Sequence, residues 1–225
     1  MVLQDGGFWH SAKRYFYNSV ANAFGKMGDV QQAAAWIDKM EHARITPDVI
    51  SYTSVIEACV ITGQVSAAAA WLQKMELAGI APDRIAFTGL VNACSKAGRP
   101  HDAVLWFEKM KAAGIEPDEI SFNGVISAHA RAGDIAAAAS WLGKMKQVGV
   151  KPTVSSYNSV IHACARAARA DEAVHWMGQM EAASLRPDVI SLTSAICACL
   201  ASYQASKHEL AEQLFCRMLD AGIRP

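Results

Sequence analysis

Cys59, Cys94, Cys164 and Cys199 stand in one 35-residue register, with His129 filling the gap in the row and Phe24 at its head. Thiols and an imidazole in series invite two chemistries, zinc ligation and disulfide formation. A regular interval of this length, however, puts them on successive copies of one element, and packed helices lie about 8–10 Å apart. Side chains so separated do not converge on one zinc at about 2.0–2.3 Å. Cα atoms beyond about 7 Å do not close a disulfide either. The row reads as small side chains in a buried helix seam, in a reducing compartment. No metal and no cofactor is implied. Catalytic spacings are missing as well: the chain has no C-x-x-C, H-E-x-x-H, G-x-S-x-G or Walker-type loop, and no H-x-E with a downstream cysteine pair. These residues are not expected to form an enzyme or to hold a small-molecule substrate.

Pro47, Pro82, Pro117, Pro152 and Pro187 keep the same 35-residue interval, and Pro225 follows 38 residues later. They divide the chain into a lead-in, residues 1–13, and six units: 14–48, 49–83, 84–118, 119–153, 154–188 and 189–225. Two positions in the unit use almost no alphabet. The fifth reads Asn18, Thr53, Thr88, Asn123, Asn158 and Thr193. The last reads Asp48, Asp83, Asp118, Thr153 and Asp188, the sixth unit stopping before it. The second is mostly bulky and apolar: Tyr15, Ile50, Ile85, Ile120, Ser155 and Ile190. Amides, hydroxyls and carboxylates in such rows either cap helices or hydrogen-bond an outside partner. Capping does not by itself confine the fifth position to Asn and Thr, since Ser and Asp cap too. Lys26, Lys96, Arg131 and Arg166 share the thirteenth position, with Ile61 and Ala201 as exceptions. That row is suited to contact phosphates.

The elements that position these rows are helical. Tyr52, Val55, Ile56 and Cys59 fall at i, i+3, i+4 and i+7, one face of a first helix. Ser51 is placed to cap it. Gly63, with Gly28, Gly98 and Gly133 at the same place, suits a tight turn through a left-handed residue. Ala68, Trp71, Leu72 and Met75 then trace a second helix that Gly79 and Pro82 end. Trp36, Trp71, Trp106, Trp141 and Trp176 repeat on the second helices, with Leu214 last, and Met40, Met75, Met110, Met145, Met180 and Met218 form another row. Both rows are expected in a core shared between stacked hairpins. Lys39, Lys74, Lys109, Lys144 and Arg217 are expected on a solvated outer face. Phe8 and Trp9 are expected to pack on the first unit, and the extra residues near 202–208 to lengthen the last turn.

Composition bounds the function. The chain has 225 residues, 52% apolar and 19% charged, enough to bury a continuous core. Lys plus Arg equal Asp plus Glu at 21 each, so no global basic field announces a nucleic-acid ligand; that signal has to be local. No apolar run reaches the roughly eighteen residues that cross a bilayer, so no membrane partner is expected. The N-terminus has neither the apolar stretch of a secretory signal nor the length of a transit peptide before repeat-like sequence begins. The last unit ends on its proline without a polar capping helix, which is expected of part of a longer array.

The shared pattern V-x-[ST]-Y-[NT]-x-[LVI]-I…A…W…M…G-I-x-P-D, from Arg14 to Pro225, resembles the pentatricopeptide repeat family. The related tetratricopeptide unit has 34 residues and a different Trp, Leu, Gly and Tyr pattern. The resemblance implies an all-α, right-handed α-solenoid superhelix of helix–turn–helix repeats. It further implies a partner, single-stranded RNA, read at one base per unit in a mitochondrion or plastid, alongside other RNA-processing proteins. In that family the fifth and last residues select the base and second-position side chains sandwich it. An ionised Asp only accepts hydrogen bonds, and U and G offer an imino N–H; Thr leaves room for a purine and Asn reaches a pyrimidine. The expected target is 5′-U-G-G-Y-U-R-3′, with the weakest contact near Ser155 and Thr153. Two alternatives stay open: a scaffold binding a protein or peptide, and the guide portion of a longer RNA-processing enzyme.

Overall fold

The computed structural model describes residues 6–202 and 204–224, with side chains from residue 11 onward except at 205. The expected packing of Phe8 and Trp9 lies outside the described side chains. Among the described residues there are twelve α-helices and no strand. They run in pairs: α1 (Gly6–Met27) with α2 (Val30–His42), α3 (Val49–Ile61) with α4 (Val65–Leu77), α5 (Arg84–Lys96) with α6 (Pro100–Ala112), α7 (Glu119–Arg131) with α8 (Ile135–Gln147), α9 (Val154–Arg166) with α10 (Ala170–Ala182), and α11 (Val189–Ala201) with α12 (Ala205–Asp220). The chain forms two compact units, one of Met1–Ala97 and Asp102–Glu116, the other of Gly98–His101 and Pro117–Pro225.

The second hairpin shows how the sequence starts and stops its helices. Asp48 is the N-cap of α3, its carboxylate accepting the Ser51 N–H at 3.1 Å while the Ser51 hydroxyl accepts the Asp48 N–H at 3.0 Å. This reciprocal box satisfies two of the N–H groups that every helix start leaves open, and a cap of this kind contributes about 1 kcal/mol. Ser51 is therefore not the cap but its partner one turn in, because the chain is still extended at Asp48, with φ −120° and ψ −173°. At the other end Gly63 takes φ +71°, Gln64 donates to the Cys59 carbonyl at 2.8 Å and Gly63 to that of Val60 at 3.3 Å. The left-handed residue reverses the chain while covering two orphan carbonyls.

Within the first unit α1 packs on α2 and α3, and α3 on α4 and α5; within the second, α9 sits between α7 and α11. Helices α3, α5, α9 and α11 also meet the second helix of the preceding hairpin. The approach of α1 to α3 is close: a Cβ on Gly25 would lie 2.5 Å from the Ser54 carbonyl oxygen, so only glycine fits there. Met40, Met75, Met110, Met145, Met180 and Met218 are all fully buried, as are Cys59, Cys94, Cys164 and Cys199. Burial pushes the Cys59 and Cys164 thiols up to about 11, which keeps them protonated at neutral pH.

Helix α1 begins at Gly6 and takes in residues 6–13 of the lead-in, since nothing from 8 to 13 breaks a helix. Three expectations change. The extra residues of the sixth hairpin extend α12 to 16 residues against the 13 of its counterparts, rather than lengthening the turn. Their sequence, ASKHELAEQLF, holds no Gly or Pro. The tryptophans sit at the rim of the core: Trp106 and Trp141 are buried, but Trp36, Trp71 and Trp176 are half-buried. Lys39, Lys74, Lys109 and Lys144 are not merely solvated, because each lays its ammonium over the ring one turn earlier, 4.1–4.7 Å from the centroid. In the sixth hairpin Leu214 offers no such face, and Arg217 pairs with Glu181 instead.

Candidate nucleic-acid interface

The second-position side chains project from the N-terminal turns of the first helices. Tyr15, Ile50, Ile85, Ile120 and Ile190 are between 54% and 76% exposed, the reverse of what their polarity asks for. Ser155 takes the same place in the fifth hairpin and is also exposed. Four apolar residues and a tyrosine held open to solvent at one repeat position offer stacking surfaces.

One turn further along, the fifth-position residues adopt two different arrangements. The Asn residues reach across the joint. Asn18 donates from its amide to Asp48 Oδ1 at 2.9 Å, Asn158 to Asp188 Oδ1 at 3.0 Å and Oδ2 at 3.2 Å, and Asn123 to Thr153 Oγ1 at a longer 3.4 Å. The Thr residues turn back on their own helices. Thr53 donates to the Val49 carbonyl at 2.8 Å, Thr88 to that of Arg84 at 2.8 Å, and Thr193 to that of Val189 at 2.5 Å. Each hydroxyl has one proton, so these threonines show only lone pairs to a ligand. Each Asn keeps a second amide proton to offer.

The last-position residues are helix N-caps: Asp48, Asp83, Asp118, Thr153 and Asp188 start α3, α5, α7, α9 and α11. The capping reading of that row is thus correct, and it leaves room for the other. The backbone bond uses one carboxylate oxygen, as in Ala86 N–H to Asp83 Oδ1 at 2.9 Å. Asp188 shows the electrostatics. Burial alone would raise its carboxyl, but the backbone N–H and hydroxyl of Ser191, the Asn158 amide and the Ile190 N–H together hold it below its ordinary value. It is an ionised acceptor at neutral pH. At Asp48 the guanidinium of Arg14 lies 3.6 Å from Oδ2, a neighbour that the fifth-and-last pattern does not reveal.

In the second unit these parts line one open cavity of about 600 Å3, within the range of ligand sites. Asn158, Asp188, Ser155 and Ile190 face it, joined by His162, Arg131 and Arg166. Ser155, read from the sequence as the point of weakest contact, lies in the lining of this space. Lys26, Lys96, Arg131 and Arg166 are all exposed. Arg166 additionally donates to the Arg131 carbonyl at 3.1 Å, tying the ends of α7 and α9 together. His162, nine residues into its unit, is marked by no repeat pattern, because Asn22, Glu57, Asn92, Ser127 and Cys197 hold that position elsewhere.

Sequence models of one family match along the chain: a pentatricopeptide repeat domain at residues 105–167, the PPR repeat family at 14–60, 47–96 and 152–201, and a PPR repeat at 85–115. The chain belongs to the pentatricopeptide repeat family. Solved pentatricopeptide structures share its fold. PPR10 in complex with an 18-nt psaJ RNA element superposes with a TM-score of 0.63 at 21% identity, over 93% of this chain and 35% of that one. PPR10 from maize gives 0.59 at 22%, over 94% and 34%. The pentatricopeptide domain of Arabidopsis thaliana protein-only RNase P 1, in complex with tRNA, gives 0.63 at 18%, over 76% and 88%. The chain thus spans about a third of the length of PPR10. No curated protein matches it significantly. Among the described residues no helix is long and apolar enough to cross a membrane.

Proposed function

We propose that this pentatricopeptide chain binds single-stranded RNA in a sequence-selective way, one base per unit, with 5′-U-G-G-Y-U-R-3′ as its target. The observation that carries the reading is the cavity in which fifth, last and second-position side chains of one unit meet two arginines. Donor and acceptor inventories support the letters. A Thr unit, with its hydroxyl proton spent on its own helix and an Asp beside it, shows acceptors only, and G answers with its N1–H and N2–H2. That fits Thr53 with Asp83, and by its place in the repeat register Thr88, followed in sequence by Asp118, is given the same letter. An Asn unit shows one amide donor beside a carboxylate acceptor, and U answers with a carbonyl and its imino N–H. That fits Asn18 with Asp48 and Asn158 with Asp188. Thr153, a neutral hydroxyl that both donates and accepts, removes the distinction between U and C, so Asn123 reads a pyrimidine. Thr193 stands alone and favours a purine.

The base would lie between the apolar second-position faces, each stack contributing about 1–3 kcal/mol, while Lys26, Lys96, Arg131 and Arg166 take phosphates. The action is occupancy of a transcript in a mitochondrion or plastid, with no bond made or broken by these residues. Binding of the target hexamer, embedded in unstructured RNA at fixed salt, is compared with permuted RNA and with the DNA version. Preference for the target RNA over both is expected, and equal affinity for all three sinks the reading. A second reading, the RNA-holding part of a longer processing enzyme, is favoured by the 88% coverage of the RNase P 1 pentatricopeptide domain that was solved with tRNA. Folded tRNA competing as well as the hexamer would support it.

A further inference from the structure

Wherever a unit has Asn at its fifth position, the third residue of the next unit is serine: Ser51 after Asn18, Ser156 after Asn123 and Ser191 after Asn158. All three serines are fully buried. Each hydroxyl lies 2.6 Å from the Asn Oδ1. The serine oxygen itself accepts the backbone N–H of the joint residue, from Asp48 at 3.0 Å, Thr153 at 3.0 Å and Asp188 at 3.1 Å. Besides the amide oxygen, each hydroxyl has the joint side chain within reach, Asp48 Oδ1 at 3.1 Å, Thr153 Oγ1 at 3.3 Å and Asp188 Oδ1 at 2.8 Å, but the amide oxygen is the nearer acceptor in all three and takes the single proton. The amide NH2 is thereby aimed at the joint side chain and, with its second proton, at the ligand. Turning the amide over would set its oxygen against a carboxylate and its NH2 against a proton already pointing at it. The ring of three residues closes in one sense only.

The Thr units lack this device and do not need it. After Thr53 the third position is Ala86, whose N–H still reaches Asp83 Oδ1. Ser121 builds the same capping box with Asp118, but it follows Thr88, whose hydroxyl is committed to the Arg84 and Ile85 carbonyls.

We propose that Ser51, Ser156 and Ser191 are specificity-determining residues for the base read by the preceding unit. Each acts as a positioning residue that fixes which end of the Asn amide the RNA meets. A letter that uses Asn is then written by three side chains across the joint, while a letter that uses Thr needs two. The inference rests on the RNA reading proposed above and adds to it.

Four proteins test it: the wild type, Thr53→Asn, Ala86→Ser and the double variant, each titrated at fixed salt against RNAs with G, U or C at the second base. The wild type is expected to prefer G, and Ala86→Ser alone to keep that preference. Thr53→Asn alone should lose G without a clear new choice. The double variant should favour U over C and G by roughly tenfold, the worth of one well-placed hydrogen bond. Thr53→Asn alone switching to U as fully as the double variant overturns the positioning role and leaves RNA reading intact. A wild type indifferent to the second base overturns both. A matched pair separates positioning from capping: Ser191→Ala and Ser121→Ala each remove a capping-box hydroxyl, and similar losses of denaturant stability are expected. Only Ser191→Ala should weaken base discrimination, at the fifth base; equal loss at the third base in Ser121→Ala overturns the proposal.

Discussion

The His129 imidazole nitrogen Nδ1 lies 3.7 Å from the Asp134 carboxylate, yet the ring is buried and neither nitrogen has a hydrogen-bond partner. The distance is too long for a hydrogen bond, so the charged form gains little from its neighbour. Burial lowers the imidazole below its ordinary 6.5, the Asp134 carboxylate opposes that, and His101 and Lys144 add to the lowering. The unfolded chain therefore binds the proton more tightly than the folded one. Stability from this group is present above the unfolded value and is lost as pH falls through about 6.5 toward the folded value. His129→Cys, the residue of its row, is expected to remove that loss. Urea unfolding at about pH 7.5 and about pH 5 checks it: the variant should gain on the wild type as the pH drops.

Lys96 and Arg131 are exposed ends of first helices. If they meet phosphates, replacing both by Ala lowers affinity for target and permuted RNA alike. The log–log salt slope should fall by about 0.7 for each phosphate no longer neutralised. An unchanged slope assigns them to solvation.

Tyr157 is fully buried, and its hydroxyl has no partner. The same row carries Phe87 and Phe122 in the two preceding units. Tyr157→Phe removes an unsatisfied oxygen without changing the ring, so a gain of about 1 kcal/mol is expected in denaturant unfolding. A loss of that size would mean the hydroxyl is bonded in solution.

Ala168 holds φ +54° where Gly28, Gly63, Gly98 and Gly133 turn the first four hairpins. A Cβ in the left-handed region costs about 1 kcal/mol. Ala168→Gly should raise the unfolding midpoint without affecting RNA binding. Ser184, with φ +60° at the end of α10, offers the same test at a second site.

Most of the fold is legible because the rows repeat: a position that is apolar in every unit must face the same neighbours in every unit. Met, Cys and the turn glycines are of this kind, and so is the exposed second position, whose apolar side chains break the pattern of the buried face. What is not legible lies between units. The Ser51 hydroxyl meets the Asn18 amide across 33 residues, and nothing in either unit alone announces the contact. Ser51 looks like a cap because capping is a local signal, whereas the cap, Asp48, belongs by register to the unit before. The lysines over tryptophan are hidden for a related reason. A charge beside an apolar row looks solvated until the flexibility of its stem is considered.

The double duty of the joint residue limits how such an array can change its target. Asp48, Asp83, Asp118, Thr153 and Asp188 each begin a helix, and only a few residue types do that well. Redirecting a unit toward another base therefore means exchanging one good helix starter for another, since a substitution that suits the nucleotide but not the turn would loosen two neighbouring hairpins. The repertoire at this position is drawn up by folding first, and any later selection for a transcript chooses from what is left.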